Sequence, residues 1–188
     1  KKHVLCEKPA VLKKAQAEEL YSLAKENNVV FMEAVKTAYC PGFHAMMAAA
    51  KSGKIGRIID VEAAFSRLTP VNTREYMAQD YNGSFLEFGS YVCMPVFELL
   101  GCDYDDVRFH SMRAVNGVDA YTKAVFSFGG KSAEVKTGLG VKTEGQLLIS
   151  GTNGYILAKS PWWLTKEFEI RYEDPNKKEV YKYAYEGS

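Results

Sequence analysis

Apolar and polar positions change their period along this chain. Val4 to Glu7 and Val29 to Glu33 are short, nearly all-apolar runs, the pattern of strands covered on both faces in a parallel sheet. Between them, Lys13 to Glu26 sets Ala17, Leu20, Tyr21 and Ala24 at i, i+3, i+4 and i+7, which predicts a helix with one apolar face; Asn27-Asn28 supplies a left-handed stop. Strand, helix, strand predicts one right-handed βαβ crossover. A second helix is predicted from Gly42 to Lys51, with Phe43, Met46, Met47 and Ala50 on one face and Gly53 as its stop. Its methionines read as core filler, and His44, off that face, as a solvated or locally bonded side chain.

Period two then takes over. Arg57 to Arg67 alternates Ile59, Val61, Ala63 and Phe65 against Asp60, Glu62 and Ser66, a strand with one apolar face. After a loop, Tyr81 to Tyr91 leads into an apolar helix ending at Leu99-Leu100-Gly101. Ser90 reads as its N-cap, with Tyr91 in the first turn, Glu87 one turn's length earlier, and Pro95 making that first turn irregular. Further strands are predicted at Val107 to Ala114, Tyr121 to Phe128, Ser132 to Leu139, Gln146 to Ser150, Gly154 to Lys159, Phe168 to Tyr172 and Val180 to Tyr185. Tight turns at Gly129-Gly130 and Asn153-Gly154 make their neighbours antiparallel. Helices early and strands late predict an α+β fold, a mixed, largely antiparallel sheet with helices on one face and the other face open. Tyr181, Tyr183 and Tyr185 share one face of the last strand, and an open face carrying such aromatics is expected to be a subunit interface.

Composition narrows the function classes. With 24 Lys+Arg against 23 Asp+Glu in 188 residues, the clustered basic excess that nucleic acid or an anionic membrane surface selects is missing. No run approaches the roughly 18 apolar residues of a membrane span, and the start carries no signal peptide, so a soluble, cytoplasmic protein is expected. The chain does not open on Met and is read as part of a longer protein. Cys6, Cys40, Cys93 and Cys102 form no CxxC pair and read as small buried hydrophobes, and three histidines are too scattered for a metal site. The glycines of Gly138 to Gly145 are wrongly spaced for a phosphate loop and precede a strand-like run; no GxGxxG occurs in the sequence.

Candidate chemistry sits where the apolar runs stop. In open α/β sheets ligands bind beyond the carboxyl ends of the strands, and those ends carry Glu7-Lys8-Pro9 and Glu33. These charges are equally readable as the first solvated residues after buried strands, and Glu87 and Tyr91 as capping and packing residues. Pro9 fixes its own backbone and biases Lys8 towards extended geometry, which would aim the lysine.

With these residues in hand, the chain resembles the glucose-fructose oxidoreductase and inositol dehydrogenase (Gfo/Idh/MocA) family. The likeness lies in Val4-Leu5-Cys6-Glu7-Lys8-Pro9, in Val30-Phe31-Met32-Glu33-Ala34 with Tyr39, Pro41 and Phe43, in Gly53 to Ile58, in Gly83 to Tyr91, and in Gly154-Tyr155-Ile156 before Pro161-Trp162-Trp163, all in the family's order. The resemblance implies that residues 1–35 are the end of a Rossmann domain binding NAD or NADP. It makes 36–188 a domain that holds the substrate and assembles subunits, lacking its final helix. It implies an oxidoreductase that moves a hydride between nicotinamide and a secondary alcohol or carbonyl of a sugar, polyol or related small molecule, working as a homodimer or homotetramer through the open sheet face. A non-catalytic sugar- or nucleotide-binding subunit of the same fold is the alternative.

On this resemblance Lys8 is catalytic and touches both substrate and cofactor, Glu7, Pro9 and Glu33 lie on the cofactor side, and Glu87 and Tyr91 hold the substrate. Many members have Asp and His where Glu87 and Tyr91 stand; tyrosine resembles the glucose-fructose oxidoreductase and dimeric dihydrodiol dehydrogenase branches, where it is the proposed acid/base. The chemistry suits it. Alcohol oxidation removes a hydride from carbon and a proton from oxygen, so a group within hydrogen-bond reach must take that proton. A phenol with an ordinary pKa of about 10 is a poor base at neutral pH, and a nearby ammonium favours its phenolate. Specificity is expected from the loops at 66–82 and 160–166.

Overall fold

Val4–Cys6 (β1) and Phe31–Glu33 (β2) pair in parallel, Val4 opposite Phe31 and Cys6 opposite Glu33, with the helix Lys14–Glu26 (α1) between them. The Gln16 side chain reaches back to accept from the Leu12 and Lys13 N–H groups, at 3.2 and 3.1 Å, closing the start of α1. At its other end Asn28 takes φ +51°, the left-handed stop expected there, and the Val29 N–H bonds the Ala24 carbonyl at 2.9 Å. This computed structural model describes residues 1–77 and 81–184, in two units, Lys1–Lys36 and Thr37–Ser188.

The larger unit opens with Pro41–Lys51 (α2). Pro41 occupies its first turn, where the missing N–H has no intrahelical partner to lose, and Phe43, Met46, Met47 and Ala50 are buried as their spacing predicts. Then come Ile58–Ser66 (β3), Ser84–Leu100 (α3), and seven strands: Asp106–Arg113 (β4), Asp119–Phe128 (β5), Lys131–Gly138 (β6), Leu147–Gly151 (β7), Gly154–Ala158 (β8), Glu167–Arg171 (β9) and Lys178–Lys182 (β10). They form one eight-stranded sheet in the order β10-β9-β8-β7-β3-β6-β5-β4, antiparallel throughout except for β3 beside β6. Gly129 and Gly130, at φ +50° and +88°, make the β5-β6 turn in left-handed conformations that glycine adopts at no steric cost.

Alternation decides the two faces. Val61 and Ala63 of β3, Ala124 and Phe126 of β5, Ala133 and Val135 of β6, Leu147 and Ile149 of β7, Ile156 of β8, and Phe168 and Ile170 of β9 are buried on the face that α3 crosses. The opposite face is charged. Asp60 accepts from Ser132, and Glu134 pairs with both Lys123 and Lys136. Burial pushes the Glu134 carboxyl up, but the two ammonium groups outweigh it and hold it below the usual carboxylate range. The observed class is the predicted α+β one.

Three expectations need correction. α3 starts at Ser84, after Gly83, so Ser90 is not its N-cap; Glu87 lies in the first turn, Tyr91 one turn later, and the helix runs on through Pro95 to Leu100. An apolar face that continues back through Phe88 extends the helix about two turns earlier than the local capping signal. The tyrosines of the last strand are not on the open face: Tyr181 and Tyr183 stack on buried Phe168, at 4.8 and 6.1 Å between ring centroids, on the helix-covered side, and Tyr185 lies outside the described residues. Period two placed them on one face without saying which. Of the cysteines, Cys40 is buried but Cys102, just past the end of α3, is exposed. No helix among the described residues is long and apolar enough to cross a membrane.

Candidate active site

In the smaller unit, Glu7, Lys8 and Pro9 follow the carboxyl end of β1, and Glu33 closes β2 in register with Cys6. The Ala34 N–H donates to the Cys6 carbonyl at 2.7 Å, which carries the parallel ladder past β2 and brings these two strand ends together. Glu7 is exposed, Lys8, Pro9 and Glu33 are half-buried, and the Lys8–Pro9 peptide is cis. Four polar or conformationally fixed residues thus share the end of the sheet where bound ligands lie in open α/β folds.

In the larger unit, α3 presents Glu87 and Tyr91 on one face at i, i+4. Tyr91 is 8% exposed, its ring edge-on to Phe65 at the end of β3, 5.3 Å between centroids. Phe65 is itself a slab in a column of rings: Trp163 stacks on it at 3.6 Å and Phe88 at 4.3 Å, and the Arg67 guanidinium lies 5.8 Å from the centre of the Phe88 ring. Trp163 owes its position to its neighbour. Trp162 is completely buried, and its indole N–H donates to the Ala64 carbonyl at 2.8 Å, which anchors the 160s loop to β3.

Charges line the approach to α3. Arg74 reaches Glu87 at 3.8 Å, and Arg67 pairs with Glu75 at 3.1 Å. The Glu75 carboxyl is held below the usual range, first by its own backbone N–H and then by Thr73 and the two arginines. On α3, two positions beyond Tyr91, burial pushes the Cys93 thiol up to about 12, so it stays protonated and inert at neutral pH. Burial likewise raises the Tyr76 phenol.

Sequence reasoning picked out Glu87 and Tyr91 and the two loops, but not Phe65 as the side chain that meets Tyr91, nor Trp163 as the ring that stacks on Phe65. The available signal was Phe65 as the last apolar residue of an alternating strand, followed by the paired tryptophans. It also passed over Asp119, the first residue of β5, which accepts from the first turn of α3.

The model of the GFO/IDH/MocA C-terminal domain matches residues 43–157, more than half of the chain. A scyllo-inositol 2-dehydrogenase (NADP(+)) of Bacillus subtilis is 31% identical over 183 residues, covering 92% of this chain and 54% of its own. The trans-1,2-dihydrobenzene-1,2-diol dehydrogenase of Bos taurus is 27% identical over 176 residues, 92% of this chain and 52% of its own. Among solved structures, a 3-ketoreductase of Actinomadura kijaniata in complex with TDP-benzene and NADP superposes with a TM-score of 0.80 at 22% identity, over 96% of this chain and 57% of that one, a likeness of fold. The chain spans about half the length of the curated relatives it matches. The matched domain, and the likeness that runs on either side of it, make this chain a member of the GFO/IDH/MocA family.

Proposed function

We propose that the chain belongs to an NAD- or NADP-dependent oxidoreductase acting on a secondary alcohol or carbonyl of a sugar, polyol or related small molecule. In this reading residues 1–35 are the end of a Rossmann domain and 36–188 the substrate domain. The observation that carries it is the setting of Tyr91, a phenol held against Phe65 on α3 with a carboxylate one turn before it. The names of the relatives support the same class: an inositol dehydrogenase and a dihydrodiol dehydrogenase oxidise ring alcohols, and solved structures of the 3-ketoreductase include a lysine-to-alanine and a tyrosine-to-phenylalanine variant.

The residues present that fit a nicotinamide cofactor are Glu7, Lys8, Pro9 and Glu33, gathered at the carboxyl ends of parallel strands. NAD or NADP, when bound, gives or accepts the hydride. Tyr91 takes the hydroxyl proton in the oxidative direction and returns it in reduction, Lys8 holds the substrate oxygen, and Glu87 accepts from a second substrate hydroxyl. Subunits associate through the open sheet face, where Leu148 and Leu157 lie opposite each other beside the charged residues.

The test is turnover of a panel of polyols, sugars and dihydrodiols by the full-length protein with either nicotinamide. Lys8→Met and Tyr91→Phe should each lower turnover by about 10²- to 10⁴-fold, with cofactor affinity nearly unchanged. Parental turnover in either variant overturns the assignment of that residue. Cofactor binding with no turnover of any substrate would instead make the protein a non-catalytic binding subunit.

A further inference from the structure

The first turn of an α-helix leaves four backbone N–H groups without intrahelical partners, and a helix that carries reacting groups near its start is placed by whatever holds them. The sequence offers α3 no local cap, since its N-cap is Gly83, which has no side chain. The acceptor comes from the sheet. Asp119, the first residue of β5, takes the Phe85 backbone N–H on Oδ2 at 2.9 Å and the Ser84 hydroxyl at 2.7 Å, while the Thr122 hydroxyl donates to the same oxygen at 2.8 Å. Ser84 and Thr137 share a further hydrogen bond at 2.9 Å; both are fully buried, and Thr122 is 2% exposed. A buried set of hydroxyls therefore fixes the carboxylate, and the carboxylate fixes the first turn.

Close approach is built into the backbone as well. Gly83 sits at φ +123°, and a Cβ there would lie 1.8 Å from Asp119 Oδ1. Its carbonyl accepts the Glu87 N–H at 3.1 Å, so the residue pressed against Asp119 is also the one from which Glu87 hangs, with Tyr91 one turn further along. An anionic group at this end also complements the helix dipole.

We propose that Asp119 is a positioning residue of the reaction: it sets the height and rotation of the first turns of α3, and through them the placement of Glu87 and Tyr91. The proposal rests on the reading that Tyr91 exchanges the proton. Catalysis is steep in such placement, a displacement of about 1 Å costing about 100-fold in rate. Packing of Phe88, Val92 and Val96 keeps the helix on the sheet without the cap, so losing the carboxylate should loosen the start of α3 rather than unfold it.

The experiment measures kcat, KM and Tm of full-length Asp119→Ala and Asp119→Asn, with Tyr91→Phe alongside. Asp119→Ala should lower kcat by about 10- to 100-fold at saturating substrate, with the KM for cofactor unchanged within about 2-fold. Asp119→Asn, whose amide oxygen still accepts the Phe85 N–H, should recover kcat to within about 5-fold of the parent. If Asp119→Ala does not fold, the double variant Ser84→Ala, Thr122→Val, which frees the carboxylate from two of its donors, should lower kcat by about 3- to 10-fold. A folded Asp119→Ala, or failing that the double variant, with a lower Tm and parental kcat makes the contact a stability cap only and overturns the proposal. If Tyr91→Phe also keeps parental kcat, the failure lies in the reading of Tyr91; if Tyr91→Phe is inactive, it lies in the role given to Asp119.

Discussion

The two units meet the same physical requirement to very different degrees. In residues 1–36 only Ala24 and Val35 are buried apolar side chains, whereas Val4, Leu5, Leu23, Val30 and Met32 are between 37% and 66% exposed. In the larger unit, large side chains such as Phe43, Met46, Ile149, Trp162 and Phe168 are at or near zero exposure. β1 and β2 are patterned for cover on both faces, and that cover is not supplied within residues 1–36. Pattern reports the environment a strand requires, not the one a given stretch of chain provides for itself.

The sharpest way to break this comparison is to separate the units. A peptide of residues 1–36 should show no cooperative unfolding transition by circular dichroism, since a two-stranded sheet with one helix is marginal in water, while residues 37–188 should melt in a single one. A cooperative transition in the peptide would refute the contrast. Side-chain truncation comes next. Trp162→Ala, which removes a fully buried indole and its bond to the Ala64 carbonyl, should cost about 3–5 kcal/mol in urea unfolding, and Leu5→Ala, at 66% exposure, about 0.5 kcal/mol or less.

The smallest effect is electrostatic and belongs to the outer strand of the larger unit. Lys54, Tyr181 and Tyr172 hydrogen-bond Glu179 and hold its carboxyl at about 2, below the ordinary 4.5. A depressed carboxylate contributes stability that is full above the unfolded value and is lost as pH falls through the folded one. Between pH 4.5 and 2 the parent should therefore lose Tm more steeply than Glu179→Gln. Because the pair is more than a third exposed, added salt should shrink the difference.

How far the sequence could be read depended on the range of the interaction. The crossover, α2 and the strands of the larger sheet follow from periods and turn residues within a few positions of each other, and they appear with ends shifted by one to three residues. The start of α3 was misread because the group that caps it, Asp119, lies 34 residues further on from Phe85, and no local signal points across that gap. The face of Tyr181 escaped for a similar reason: alternation fixes relative sides, and only the pairing of β10 with β9 says which side is covered. At the candidate site, Glu87 and Tyr91 were legible because they stand one turn apart on one helix. Phe65 and Trp163 were not, because a ring stack between a strand and a loop almost 100 residues away has no period.

The position of β3 bears on how the chain comes off the ribosome. It lies at the middle of the sheet, between β6 and β7, yet is made long before either. At about 5–20 residues per second, some 4 to 17 s separate the end of β3 from the end of β7. Until β6 is made Val61, Ala63 and Phe65 have no strand on either side, and until β7 is made they have one on one side only. The hairpins β5-β6 and β7-β8 can each close locally as they emerge, so the sheet is completed by docking an older strand between two younger ones. The central strand Ile58–Ser66 is thus secured on both edges only once β6 and β7 have been made, and until then its apolar face has only α3 to cover it.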